Sequence, residues 1–395
     1  MNFNYLPEPG PEAREHSQRL STLIRTQIET AGGAIPFSRY MELALYAPEL
    51  GYYNAGTRKF GAHGDFVTSP ELGPTFAECV AQSFAPVLRQ LGDGAVFFEL
   101  GGGSGAFAEA ALKHLATLDA LPAHYWMLEP STDLRQRQQE RLRGALAPEL
   151  FDRCRWLDGP PEQEWRGVLF ANEVLDALPT PRFAIRQGEV FEEYVVLDAQ
   201  GEFLSVTQPA DALLRAAVRH VERNLQAPLA EGYCSEILPQ LPYWIQAVGG
   251  LLSQGAMLFV DYGYPREEYY LPERNDGTLI CHYQHRAHYD PFFQPGLQDL
   301  TASVDFTALA EAGINAGFDL AGYSSQSNFL LGNGLQDRLE AIQNIENQAV
   351  RYRRHMEIKK LTLPGQMGER FQVMGFERGV DFRASFAMGD MSRRL

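Results

Sequence analysis

Acidic or amide side chains recur in this chain where short apolar runs end. Glu99 follows Val96-Phe97-Phe98 and precedes Leu100 and the turn Gly101-Gly102-Gly103-Ser104-Gly105. Glu129 ends Tyr125-Trp126-Met127-Leu128, Asp158 follows Leu157, and Asn172 ends Gly167-Val168-Leu169-Phe170-Ala171. Glycines at alternate positions let the backbone approach a ligand that any Cβ would push away. A helix start after the turn offers unpaired N–H groups to electronegative ligand atoms. Such a turn suits a nucleotide-like cofactor, and Glu129 is placed to accept from both ribose hydroxyls of an adenosine. Taken alone, the glycine cluster also fits a tight turn without a ligand.

Two cofactor classes compete for this pattern. Gly101-x-Gly103-x-x-Ala106 fits a relaxed dinucleotide fingerprint. The separation from Gly101 to Glu129 is 28 residues, however, against about 20 in that fingerprint. A pyrophosphate also calls for donors, whereas these strand ends carry acids. S-adenosylmethionine (SAM) has no phosphate; it carries an ammonium, a sulfonium, a carboxylate and an adenosine. On this reading Glu99 lies near the methionine moiety, where SAM-dependent methyltransferases carry an acid. Asp158 accepts from the adenine amino group, with Leu157 against the ring, and Asn172 stands beside the transfer centre. The expected cofactor set is Glu99, Gly101, Gly103, Gly105, Glu129, Asp158 and Asn172; Thr68 and Ser69, in a polar segment at 64–71, offer further polar contacts, although Ser69-Pro70 also fits the start of a turn or helix.

The elements that hold these residues follow from periodicity. Strands are predicted at 95–100, 125–129, 153–157, 167–172 and 256–261, with closing strands at 318–324 and 371–376. Helices are predicted at 106–118 and 134–146 between the first strands, an alternation that implies a parallel sheet covered on both faces. Further helices are predicted at 11–31, 35–46, 74–91, 210–224, 243–253, 306–316 and 335–354. Residues 183–206 alternate in two-residue steps, as antiparallel hairpins do, whereas 262–300 reads as irregular and aromatic-rich. The expected domains are 1–92, a helical and loop region covering the cofactor site, and 93–395, with an inserted substrate-side subdomain at about 180–250.

Several longer segments carry a resemblance. They include Phe37-Ser38-Arg39-Tyr40-Met41 to Gly51-Tyr52-Tyr53, Gly64-Asp65-Phe66-Val67-Thr68-Ser69-Pro70-Glu71 and Glu99 to Gly105. Asn172-Glu173-Val174-Leu175-Asp176-Ala177-Leu178-Pro179, Val260-Asp261-Tyr262-Gly263, Gly277-Thr278-Leu279 with His285, and Gly296 to Phe306 complete the set. In these segments the chain resembles the MidA-like methyltransferases, the group that includes the mitochondrial complex I assembly arginine methyltransferase. The resemblance implies an α/β, seven-stranded, Rossmann-like class I SAM-dependent methyltransferase fold. It also implies an N-terminal helical extension, an insertion after strand four and a pocket role for the segment 64–71.

Methyl transfer from a sulfonium is an in-line displacement, with the nucleophile held about 3–3.5 Å from the methyl carbon. A guanidinium acceptor stays protonated, so a carboxylate must orient it. Glu173 and Asp176, just past strand four, are the expected catalytic carboxylates, with Glu173 the stronger candidate. Their local alternatives are a turn cap at Asp176 and an anchor for the insertion at Glu173. Familiar arginine methyltransferases carry two glutamates on a longer loop; here the spacing is Glu-x-x-Asp, and position 182 is arginine. His282, His285 and His288 are read as structural or surface groups, and no metal site is expected.

Composition narrows the partners. The 395 residues are 45% hydrophobic and 21% charged, enough for a substantial core. No apolar run approaches the roughly 20 residues of a membrane span. The net charge of −16 repels phosphate backbones, so no nucleic-acid partner is expected, whereas a cationic protein segment is attracted. Cys79, Cys154, Cys234 and Cys281 form no CxxC pair and read as idle thiols. Without a recognisable leader the expected location is cytoplasmic. The leading function is SAM-dependent methylation of a protein, plausibly at arginine. A NAD(P)-dependent oxidoreductase, a non-catalytic SAM-binding assembly factor and a small-molecule methyltransferase are the alternatives.

Overall fold

The buried apolar runs pair into one mixed sheet in a computed structural model that describes residues 6–55 and 68–395. Seven of its eight strands are β1 (Val96–Leu100), β2 (His124–Leu128), β3 (Cys154–Leu157), β4 (Trp165–Asn172), β5 (Leu252–Tyr264), β6 (Asp319–Ser325) and β7 (Phe371–Arg378). They form a continuous path in the order β6-β7-β5-β4-β1-β2-β3. The β3/β2, β2/β1, β1/β4 and β4/β5 pairs are parallel, and β7 is antiparallel to both β5 and β6. The chain leaves β1 towards β2 on one side and later builds β4 and β5 on the other. The carboxyl ends of β1 and β4 therefore flank the switch point, where open α/β sheets bind ligands.

Helices α1 (Thr75–Leu91) and α2 (Ala106–Thr117) pack on this sheet. Phe107 stacks on Phe170 at 4.1 Å between centroids, and Phe84 meets Phe97 edge-on at 5.5 Å. Two glycines let the central strands come together. An added Cβ at Gly167 would lie 1.9 Å from the Val96 carbonyl oxygen, and one at Gly255 1.8 Å from that of Gly167.

The described chain divides into two units. Of the described residues, the sheet unit comprises 68–175, 241–263 and 306–395, and the hairpin unit comprises 6–55, 176–240 and 264–305. The division does not follow the expected boundary at 92, because α1 contributes Phe76, Val80 and Phe84 to the core of the sheet unit. The predicted helix at 335–354 is two helices, α4 (Leu335–Gln343) and α5 (Gln348–Thr362). Asn347 causes the break, its side chain accepting from the amides of Ala349 and Val350 at 3.0 and 3.2 Å.

In the hairpin unit, Arg182–Arg186, Glu189–Leu197 and Phe203–Pro209 form the expected antiparallel strands. Arg182 is locked there by Glu193 at 2.9 Å and Glu236 at 3.0 Å. Burial alone would lower its pKa, but the carboxylates raise it overall. Residues 262–300 are not irregular throughout: Ile280–Tyr283, Arg286–His288 and Asp299–Thr301 form a three-stranded sheet. Among the described residues no helix is long and apolar enough to cross a membrane.

Candidate active site

Every residue of β1 is buried, which takes the Glu99 carboxylate out of water with its strand. Its Oε2 accepts from the Tyr125 hydroxyl at 2.9 Å. Burial pushes Glu99 up to about 8; the Tyr125 hydrogen bond opposes the rise and the nearby Glu129 charge adds to it. The turn after β1 takes positive φ at Gly101 (63°), Gly103 (52°) and Gly105 (79°), a conformation that favours glycine. A Cβ at Gly102 would lie 3.3 Å from Gln138 Nε2 and 3.4 Å from Glu99 Oε2, so the bare backbone forms a cradle beside the acid.

Beyond β2, Glu129 is buried. Its Oε1 accepts from the Ser131 amide at 3.1 Å, and its Oε2 from Gln138 Nε2 at 3.2 Å. Ser131 also caps α3 (Thr132–Ala145) by accepting from the Leu134 amide. Glu99, the glycine turn and Glu129 are thus brought together. Asp158 is placed differently: its side chain is 95% exposed and paired with Arg135 at 2.8 Å. Arg135 also donates to the Leu157 carbonyl.

Of the segment 64–71, residues 64–67 lie outside the described residues. Thr68 precedes the short helix Ser69–Leu72 and makes no side-chain cap. Ser69 is fully buried, and its hydroxyl donates to Gln326 Oε1 at 3.3 Å, an anchor in the interior. Glu71 instead reaches the glycine turn, accepting from the Ser104 hydroxyl, which Arg141 approaches at 3.1 Å. Glu71 and Gln138 are contacts that the sequence pattern did not single out.

At the end of β4 the backbone turns sharply. Glu173 has φ 53°, a left-handed conformation uncommon for a residue with a Cβ and enriched at functional sites. Its amide donates to the Val260 carbonyl at 3.0 Å, and the Leu175 amide donates to Asp261 Oδ2 at 3.0 Å. Asp261 thereby fixes the elbow from within β5. Asn172 Nδ2 donates to Glu173 Oε1 at 3.0 Å, while Asn172 Oδ1 is buried with no hydrogen-bond partner among the described residues. The elbow abuts the glycine turn: a Cβ at Gly101 would lie 2.9 Å from Val174 Cγ2.

The division between the two units falls between Leu175 and Asp176. Asp176 is buried in the hairpin unit, where its carbonyl accepts from the Ala302 amide at 2.9 Å. The three histidines belong to the small sheet: His282 and His288 lie on its strands, and His285, at φ 61°, makes the turn between them.

A glycine cradle, two buried acids and an orphaned amide oxygen fit a cationic adenosyl group. Glu99 would face its methionine end and Glu129 its ribose. Bound there, SAM supplies an electrophilic methyl group and a neutral thioether leaving group. The fold and site define a SAM-dependent methyltransferase. Residues 79–324 match the family described as "Putative S-adenosyl-L-methionine-dependent methyltransferase", and the chain belongs to that family.

A Burkholderia thailandensis protein solved with S-adenosyl-homocysteine bound is 42% identical, with a TM-score of 0.90 over 99% of this chain and 100% of that one. The NDUFAF7 homolog of Drosophila melanogaster, a mitochondrial protein arginine methyltransferase, is 28% identical over 95% of this chain and 88% of its own length. Human NDUFAF7, of the same description, is 27% identical over 86% and 79%.

Proposed function

We propose that this chain is a class I methyltransferase that transfers the SAM methyl group to an arginine side chain of a protein. The observation that carries the reading is the Glu173 carboxylate, carried on a left-handed elbow whose next residue, Val174, lies against the glycine turn. A carboxylate there orients a guanidinium and draws its positive charge away from the attacking nitrogen. Asn172 holds that carboxylate in place through Nδ2. The names of the NDUFAF7 relatives support the arginine acceptor. Glu99, Gly101, Gly103, Gly105 and Glu129 bind the cofactor in this reading.

The test is labelling of arginine-rich proteins with tritiated SAM, followed by identification of the modified residue by mass spectrometry. Methylarginine is expected. Glu173→Gln is expected to lower kcat by about 10²-fold or more, as removal of one preorganised transition-state contact does, with SAM affinity unchanged. Label on another residue type, or full turnover by Glu173→Gln, would refute this assignment.

A further inference from the structure

Helix α3 presents an apolar stripe of Leu134 and Leu142 with Gln138 between them, and all three are buried. A glutamine in that place is costly unless its amide is satisfied. Here it is. Trp156 Nε1, which can only donate, donates a hydrogen bond to Gln138 Oε1 at 2.9 Å, and that fixes which way the amide points. The NH2 group then faces two acceptors, the Gly103 carbonyl at 2.9 Å and Glu129 Oε2 at 3.2 Å. The glycine turn is seated directly on this side chain: a Cβ at Gly105 would lie 3.5 Å from Gln138 Cγ. One amide therefore ties together the backbone of the turn, the acid after β2 and an indole from β3.

We infer that Gln138, oriented by Trp156, is the positioning residue that locks Glu129 to the glycine turn and so sets the selectivity for an adenosine with intact ribose hydroxyls. The inference rests on the placement of SAM at this site. A leucine at 138 would suit the apolar stripe equally well, so helix packing alone does not account for the amide. The acid and the turn must hold one fixed separation if ribose hydroxyls and the rest of the ligand are to be bound together. With the amide removed, Glu129 keeps its contact with the Ser131 amide but loses its tie to the turn, and the gain from each hydroxyl falls.

The experiment is calorimetric titration with S-adenosylhomocysteine and its 2′-deoxyadenosyl analogue. The wild type is expected to prefer the hydroxylated ligand by about 10-fold or more, as loss of a hydrogen bond to a charged group implies. Gln138→Leu is expected to weaken S-adenosylhomocysteine binding by about 10-fold and to bring the two ligands within about 3-fold of each other. Trp156→Phe removes the N–H that orients the amide while keeping an aromatic ring at that place, and it should give an intermediate preference while leaving the stripe of α3 intact. Each variant is checked for an unchanged circular dichroism spectrum, and Trp156→Phe decides the matter if Gln138→Leu does not fold. A ligand preference unchanged from wild type in the folded variants would overturn the inference and leave Gln138 a packing residue. A wild-type protein that binds neither ligand would overturn the cofactor placement along with it.

Discussion

At the residue scale, the most informative group is Glu99, because its carboxyl is pushed up to about 8 by burial, with Glu129 adding to the effect. In the unliganded protein at neutral pH it is mostly protonated. A cationic ligand favours the carboxylate, so SAM binding must expel that proton. Below pH 8 the affinity is therefore expected to rise by up to about tenfold per pH unit, and to lose this dependence above it. Glu99→Gln, which has no proton to release, should remove the Glu99-dependent part of the slope. Titrations of both proteins from pH 6 to 9, in buffers of different ionisation enthalpy, measure the difference directly. Parallel curves would show that Glu99 does not ionise on binding. Folding stability has the opposite sign. The folded pKa lies above the ordinary value of 4.5, so the folded state holds the extra proton between 4.5 and about 8. The Glu99 contribution to stability consequently falls as pH rises through that window and is level above it.

At the element scale, the close approach of β1, β4 and β5 depends on Gly167. Its φ is 153°, and the Val96 carbonyl oxygen occupies the space of a side chain. Gly167→Ala is expected to destabilise the protein by about 3 kcal/mol or more through backbone displacement, measurable as a fall in urea midpoint. The glycine turn and Glu173 lie at the other ends of these strands, so SAM affinity of the folded fraction should hold. The same central elements were the most legible in sequence, because buried parallel strands read as unbroken apolar runs. The acids at their ends stood out for the same reason. Elements without such runs were hidden. The strands Arg286–His288 and Asp299–Thr301 have three residues each, too few for a period to show. Asn347 looked like one polar residue in a helical stretch, yet its carboxamide starts a new helix. Gln138 was lost in the charged pattern of α3, since its meaning depends on Trp156 and Gly103, which only folding brings near. Asp158 was legible as an acid after a strand, but not as an exposed partner of Arg135.

At the scale of the whole molecule, the net charge of −16 bears on what arrives at the site. A field of that sign speeds the encounter with a cationic protein segment and does little for a neutral small molecule. Salt shortens the reach of the field from about 30 Å at 0.01 M to about 8 Å at 0.15 M. If the acceptor is an arginine-rich segment, kcat/KM for it should fall steeply over that range. By contrast, kcat should hardly change, because groups in contact within a partly buried site are screened much less than distant surface charges. SAM provides an internal control, since its affinity depends on groups at short range and should vary less with salt than the peptide KM does. Steady-state labelling of an arginine-rich peptide at several ionic strengths, with SAM saturating, gives kcat and kcat/KM, and a separate titration at each ionic strength gives the SAM affinity. A kcat/KM that ignores salt would mean that the acceptor is not recruited by charge, and would favour an uncharged small molecule in its place.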